Sequence, residues 1–202
     1  MRNRLSKVEG VFVTKFNLFL VVFLSASMAL AMKLDPEKGS SEFLAIGRPA
    51  AIKIWGKAKG PSGDLQIQKD EKEIVINGEA VIDMDTFDTG IAMRDQHMKE
   101  KYLETGKAKN AILKIENLKL PRAIFTKGGE MKFPAKLQLH GVEKPVEVVM
   151  NISSKDGALV SVSKFKIKIS DYEIQIPSFS GITVADSVDV TVQMPLLETD
   201  LK

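Results

Sequence analysis

Alternation of apolar and polar residues at every second position, turn residues at short intervals and the scarcity of helical periodicity predict an all-β fold. The form expected is an antiparallel barrel of about eight strands with one short helical segment. Strands with all their apolar residues on one face are wet on the other, as antiparallel sheets allow and buried parallel sheets do not. So many one-sided strands with so little helix to cover them have two solutions: two sheets packed face to face, or one long sheet closed on itself. The long runs, their bends and the single helix available to cover one end favour closure. An eight-stranded barrel leaves an interior just wide enough for side chains or a slender ligand.

The first element stands apart from the fold. Arg2, Arg4, Lys7 and Lys15 make a basic start, Phe16 to Leu24 is apolar, and the small-residue run Ser25 to Ala31 follows. Ala29 and Ala31 have the spacing that a signal peptidase accepts, so residues 1–31 read as a cleaved export signal and residues 32–202 as one domain. The stretch Phe16–Ala31 is 16 residues, short of the roughly 20 that span hydrocarbon, so no integral membrane span is expected after cleavage. The whole chain carries 29 basic and 26 acidic residues; the first 31 hold four and one of them, leaving 25 against 25. A neutral domain lacks the electrostatic support that a nucleic-acid partner requires. There is no cysteine, which excludes disulfides, a lipid-modified N-terminal cysteine, a thiol nucleophile and thiolate metal sites.

The strands follow in order. Ile74, Ile76, Ala80, Ile82 and Met84 share one face, with Asn77-Gly78 inside the run as a bulge or bend. Thr86 to Gly90 then leads into Ile91–Leu103, where Met98 and Tyr102, like Asp95 and Lys99, stand four apart. Asp88 or Thr89 is placed to cap this short helix. Met131, Phe133, Ala135, Leu137 and Leu139 form the next apolar face, ending at His140-Gly141, and Val146, Val148, Met150 and Ile152 the one after. Lys155-Asp156-Gly157 is the best hairpin signal, because glycine takes the positive φ of a tight turn. Phe165, Ile167 and Ile169, then Val188 through Leu196, complete the set.

Catalytic and metal signals are sparse. His97 and His140, the only histidines, fall in different elements and give no metal-ligand spacing. His97 beside Asp95 admits an acid–base pair as a rival reading, and His140 reads as fixing a turn. Ser178-Phe179-Ser180-Gly181 lacks the nucleophile elbow, the spacing Gly56…Gly60…Gly63 lacks the phosphate-loop lysine, and Asp83 and Asp85 lie on a wet face. No catalytic residue, metal or cofactor is therefore assigned. The inward faces carry flexible methionines and phenylalanines that suit an alkyl or isoprenoid tail, each buried CH₂ contributing about 0.8 kcal/mol. The candidate lining residues are Ile82, Met84, Met131, Phe133, Leu137, Phe165, Ile167 and Met194. The alternative is a core filled by these same side chains, in an envelope stress or interaction protein without a lipid ligand.

Three separated motifs resemble the YceI-like family of bacterial periplasmic or secreted lipid- and polyisoprenoid-binding proteins. They are Lys33-Leu34-Asp35-Pro36 running to Phe43, Phe87-Asp88-Thr89-Gly90 running through Arg94-Asp95-Gln96-His97-Met98, and Leu137-Gln138-Leu139-His140-Gly141-Val142 followed by Lys144-Pro145-Val146. Phe165 to Tyr172 and Val188 to Val192 extend the likeness over nearly the whole domain. The resemblance implies a lipocalin-like barrel with a helix near Arg94–Leu103. It also implies non-catalytic binding or carriage of a polyisoprenoid or quinone-like amphiphile, residence in the periplasm or outside the cell, and a homodimer. The chain departs from the family pattern after the first strand, Phe43 to Pro49, and at Lys107-Ala108-Lys109-Asn110-Ala111 after the helix, which puts the headgroup preference in doubt.

Overall fold

The computed structural model describes residues 29–49, 51–155 and 158–196. Residues 1–28, most of the expected signal segment, lie outside the described residues. In chain order the elements begin with β1 (Ala29–Leu34), β2 (Ser40–Arg48), β3 (Ile52–Lys59), β4 (Gly63–Lys69) and β5 (Glu73–Asp83). Helix α1 (Ala92–His97), continued by a π turn over Met98–Tyr102, precedes β6 (Asn110–Pro121), the single helical turn α2 (Ile124–Lys127), β7 (Gly129–Leu139) and β8 (Val142–Lys155). Then come β9 (Ala158–Lys168), the short hairpin β10 (Ser178–Phe179) and β11 (Ile182–Val184), and β12 (Ser187–Leu196).

All twelve strands belong to one antiparallel sheet, in the order β1-β4-β5-β6-β7-β8-β9-β12-β2-β11-β10, with β3 also pairing with β2. The expected closed, lipocalin-like barrel of about eight strands is not what forms: the sheet is open and has twelve strands. Its physical cause lies at Gly60-Pro61-Ser62-Gly63, where the chain leaves β3 and starts β4. Proline has no N–H to donate to a ladder, and Gly63 takes φ +132°. The two strands therefore take different partners, β3 pairing with β2 and β4 with β5. Among the described residues, β3 pairs with the chain beyond β5 only at the isolated bridge Lys57–Asp88. A one-sided alternation tells which face of a strand is buried; it carries no information on whether the last strand finds the first.

The open sheet nevertheless curls until its apolar face meets itself. Leu34 of β1, Phe133 of β7 and Met194 of β12 belong to one buried cluster, though their strands are far apart in the ladder. A second cluster, around Phe87, Leu139, Ile167 and Tyr172, fills the other end and is covered by Met98, Tyr102 and Leu103 from the helical segment. The spacing of Met98 and Tyr102 thus becomes the apolar stripe of a lid-like element over that end.

One expected strand connection is described residue by residue along the backbone. His140-Gly141 joins β7 to β8 as a two-residue loop between the pair Leu139–Val142, with φ of 51° and 80°. Two successive positive φ values are those of the type I′ turn that matches strand twist. Lys155 pairs with Ala158, and the intervening Asp156-Gly157 lie outside the described residues. At Asn77-Gly78 the register does slip, between the pairs Ile76–Leu118 and Gly78–Ile115, but the extra residue is on β6. Asn117 adopts φ 52° there, and its N–H donates to Asn77 Oδ1 at 2.7 Å.

Candidate functional site

Two apolar cavities lie within the curled sheet. The first, of about 190 Å³, sits under the helical segment; among its described walls the polar side chains are Thr89, Arg94 and the phenol of Tyr102. The second, of about 180 Å³, extends toward the β1–β2 connection, where Lys33, Asp35 and Lys38 line it, with Ser161 and Ser163 further in. Each is somewhat larger than the ~150 Å³ apolar cavity that accommodates a benzene ring. Ile82, Ala111, Leu137 and Phe165, from β5, β6, β7 and β9, are walls of both. The two spaces are therefore neighbours across a waist of four side chains, with polar groups at either outer end.

Ile82, Leu137 and Phe165 stand at this waist, Met84 and Ile167 on the first cavity, and Phe133 and Met194 on the second. Met131 packs half-buried against the adjoining core and lines neither. Alternation on single strands picks these residues because period two separates inward from outward side chains. It misses Phe43, Phe87, Met98 and Tyr102, which line the first cavity from β2, a loop and the helical segment. The apolar stripe of the helix was the available signal for the last two. Phe43 and Phe87 pack with ring centroids 5.3 Å apart, joining the first long strand to the loop that follows β5.

The polar end of the first cavity is a knot of local hydrogen bonds. Arg94 Nε donates to Thr89 Oγ1 at 2.7 Å and its Nη2 to Thr89 O at 2.6 Å. Asp95 Oδ1 accepts from the Thr89 N–H at 2.9 Å and from the Thr89 hydroxyl at 2.5 Å. The expected helix cap at Asp88 or Thr89 is thus replaced: Ile91 occupies the N-cap without a side-chain bond, and the helix's own Asp95 reaches back to hold the loop. Burial pushes the Asp95 carboxyl up, but the two Thr89 hydrogen bonds and the charge of Lys99 outweigh it and hold the group below its ordinary value of 3.8.

The rival catalytic pair is not assembled. Asp95 is occupied by Thr89, while His97 is exposed, with its ring 6.1 Å from that of Phe179. His140 packs instead between two elements, Nδ1 3.1 Å from Tyr172 O and Nε2 3.0 Å from Glu104 Oε2. Burial, with the neighbouring Asp171 carboxylate, pushes the Tyr172 hydroxyl up to about 12. Asp83 Oδ1 accepts from Asp85 N at 3.0 Å and Asp83 Oδ2 meets Lys109 at 3.1 Å, a turn cap rather than a carboxylate pair facing across a cleft. Among the described residues no group of three or more His, Cys, Asp or Glu is placed to hold a metal ion, and no helix is long and apolar enough to cross a membrane.

The YceI-like domain family matches residues 32–196. The chain belongs to that family. The crystal structure of BcnA from Burkholderia cenocepacia superposes with a TM-score of 0.64 at 18% identity, covering 81% of this chain and 99% of that one. A polyisoprenoid-binding domain from Saccharophagus degradans, implicated in plant cell wall breakdown, gives 0.56 at 18% identity, covering 83% and 98%. At such identities these two likenesses bear on the fold. No curated protein matches the chain. YceI-like domains are non-catalytic lipid-binding and carrier proteins. The match to this YceI-like domain begins at Met32, the residue after Ala31.

Proposed function

We propose that this YceI-like domain binds and carries an amphiphilic lipid in the cell envelope without catalysing a reaction, with a polyisoprenoid or quinone-like tail in its interior. The observation that carries the reading is the pair of adjoining, mainly apolar cavities with a shared four-residue apolar waist and charged groups only toward the outer ends. An unbranched or isoprenoid tail has the matching form: slender, apolar and polar at its terminus. By comparison with the benzene-sized cavity, the two spaces together suit roughly ten to fifteen carbons. At about 0.8 kcal/mol per buried CH₂, burial of such a tail exceeds the ordering costs that binding imposes. Kinship with the Saccharophagus domain, which is named for polyisoprenoid binding, supports the same ligand class. A core filled by its own side chains has less support, since both cavities are several times the volume of a water molecule.

The basic start, apolar stretch and Ala29-x-Ala31 spacing support export with cleavage before Met32, which places the carrier in the periplasm or beyond it. Gentle purification from the envelope, organic extraction and mass spectrometry test both readings at once. The expected result is a tail-bearing lipid in near-stoichiometric amount and a chain beginning at Met32. A protein that yields no lipid and shows no saturable uptake of added farnesol or short-chain quinone would overturn the carrier reading.

A further inference from the structure

Six large apolar side chains stand exposed among the described residues, and four of them gather at one place. Ile52, Ile91, Met93 and Phe179 surround a surface groove of about 320 Å³ between α1, the start of β3 and the β10–β11 hairpin. Met93 is 62% and Phe179 65% exposed, so neither is a core residue seen edge-on. Scattered single apolar residues are ordinary on a protein surface, whereas a gathered patch marks a place of contact.

The groove leads inward. Ile54, Arg94, Tyr102, Pro177 and Val184 are walls of both the groove and the first cavity. Apolar surface therefore continues from the outside, past the Arg94–Tyr102 rim, into the candidate lipid space. Charge is one-sided: among the described residues no aspartate or glutamate lines the groove, and the one formally charged side chain on its walls is the cationic Arg94. An apolar centre with a cationic side chain and no carboxylate on its walls complements the interface of a bilayer containing anionic lipids. A second copy of the chain seated there would instead seal the route between cavity and exterior.

We propose that this face docks on an anionic membrane surface, with Met93 and Phe179 entering the headgroup layer, and that it is where the ligand is exchanged. The inference rests on the carrier reading for its purpose. Its test is separable, because membrane docking and cavity occupancy are read by different signals.

The protein recovered from cells expressing the whole chain is floated with phosphatidylglycerol–phosphatidylethanolamine vesicles and, in parallel, with neutral phosphatidylcholine vesicles. The wild type is expected to float with the anionic vesicles and less with the neutral ones. Met93→Asp with Phe179→Asp is expected to reduce the floated fraction roughly tenfold or more. Equilibrium uptake of a fluorescent fatty acid in vesicle-free buffer should remain as in the wild type, since neither residue lines a cavity. Met93→Ser with Phe179→Ser replaces the aspartates if the far-UV spectrum changes. Equal flotation of variant and wild type, or no flotation of the wild type, overturns the proposal. So does a dimer that the variant splits into monomers, which would assign the face to a second copy. Failure of fatty-acid uptake in the wild type would count against the carrier reading alone.

Discussion

Thr89, Arg94 and Asp95 form a small unit in which each group satisfies another, and its weak point is the Asp95 carboxylate. A carboxyl held low in the folded state contributes stability that is present above its unfolded value and is lost as pH falls through the folded one. For Asp95 that window lies below 3.8. Asp95→Asn is thus expected to flatten the acid limb of the stability curve below about pH 4, where urea midpoints of wild type and variant should converge. Ser41 poses the opposite case. It is wholly buried on β2 between Val192 and Ala58, and its Oγ has no hydrogen-bond partner. A buried hydroxyl without a partner costs about 1–3 kcal/mol, so Ser41→Ala should raise the urea midpoint or leave it unchanged; a clear fall would mean that the hydroxyl has a role in the native state. Neither feature is legible in the chain alone. The Arg94-Asp95 pair is visible as a dipeptide, but that it turns back onto Thr89, rather than outward to His97, depends on the helix starting at Ala92.

Strands were readable where alternation was clean and unreadable where two strands must agree. Asn77-Gly78 signals an irregularity from β5 alone, yet which strand carries the extra residue is decided by Glu116-Asn117 across the ladder. Gly78 is needed on its own side: it takes φ +142°, and a Cβ there would lie 2.4 Å from Asp64 O. Gly78→Ala should lower stability by about 1–3 kcal/mol, seen as a shift of the thermal midpoint. Ala111 on β6 matters for a different reason, as the smallest of the four waist residues shared by the cavities. Ala111→Phe should narrow the waist, so that a fifteen-carbon isoprenoid loses affinity roughly tenfold or more while a five-carbon analogue binds as before. Equal losses for both probes would mean that the cavities do not act as one continuous site. The helical segment was legible from its four-residue spacing, but its π continuation was not, since that depends on how Met98 and Tyr102 settle over the core beneath.

Seen as a whole, the molecule joins a well-specified inner face to a weakly specified perimeter. Period-two patterning determines what points inward, and the cavities inherit that pattern; it leaves open where the ladder stops. The stop falls at the Gly60-Pro61 break, and across it Lys57 and Asp88 exchange two backbone hydrogen bonds of 2.9 and 2.8 Å. Along most of the ladder a widening of the interior would have to tear a row of such bonds, but among the described residues here there are only this pair and, just past the break, the Ser62–Val81 pair of 2.8 and 2.7 Å. A hoop must stretch to admit a thicker guest, whereas a scroll need only slip along its overlapping margin. Amide exchange at Lys57 and Asp88 should therefore outpace that of the inner-ladder amides of β7 and β8, and slow once a tail is aboard. Slip at this hem would let the interior widen around a thicker tail while the packed core stays intact.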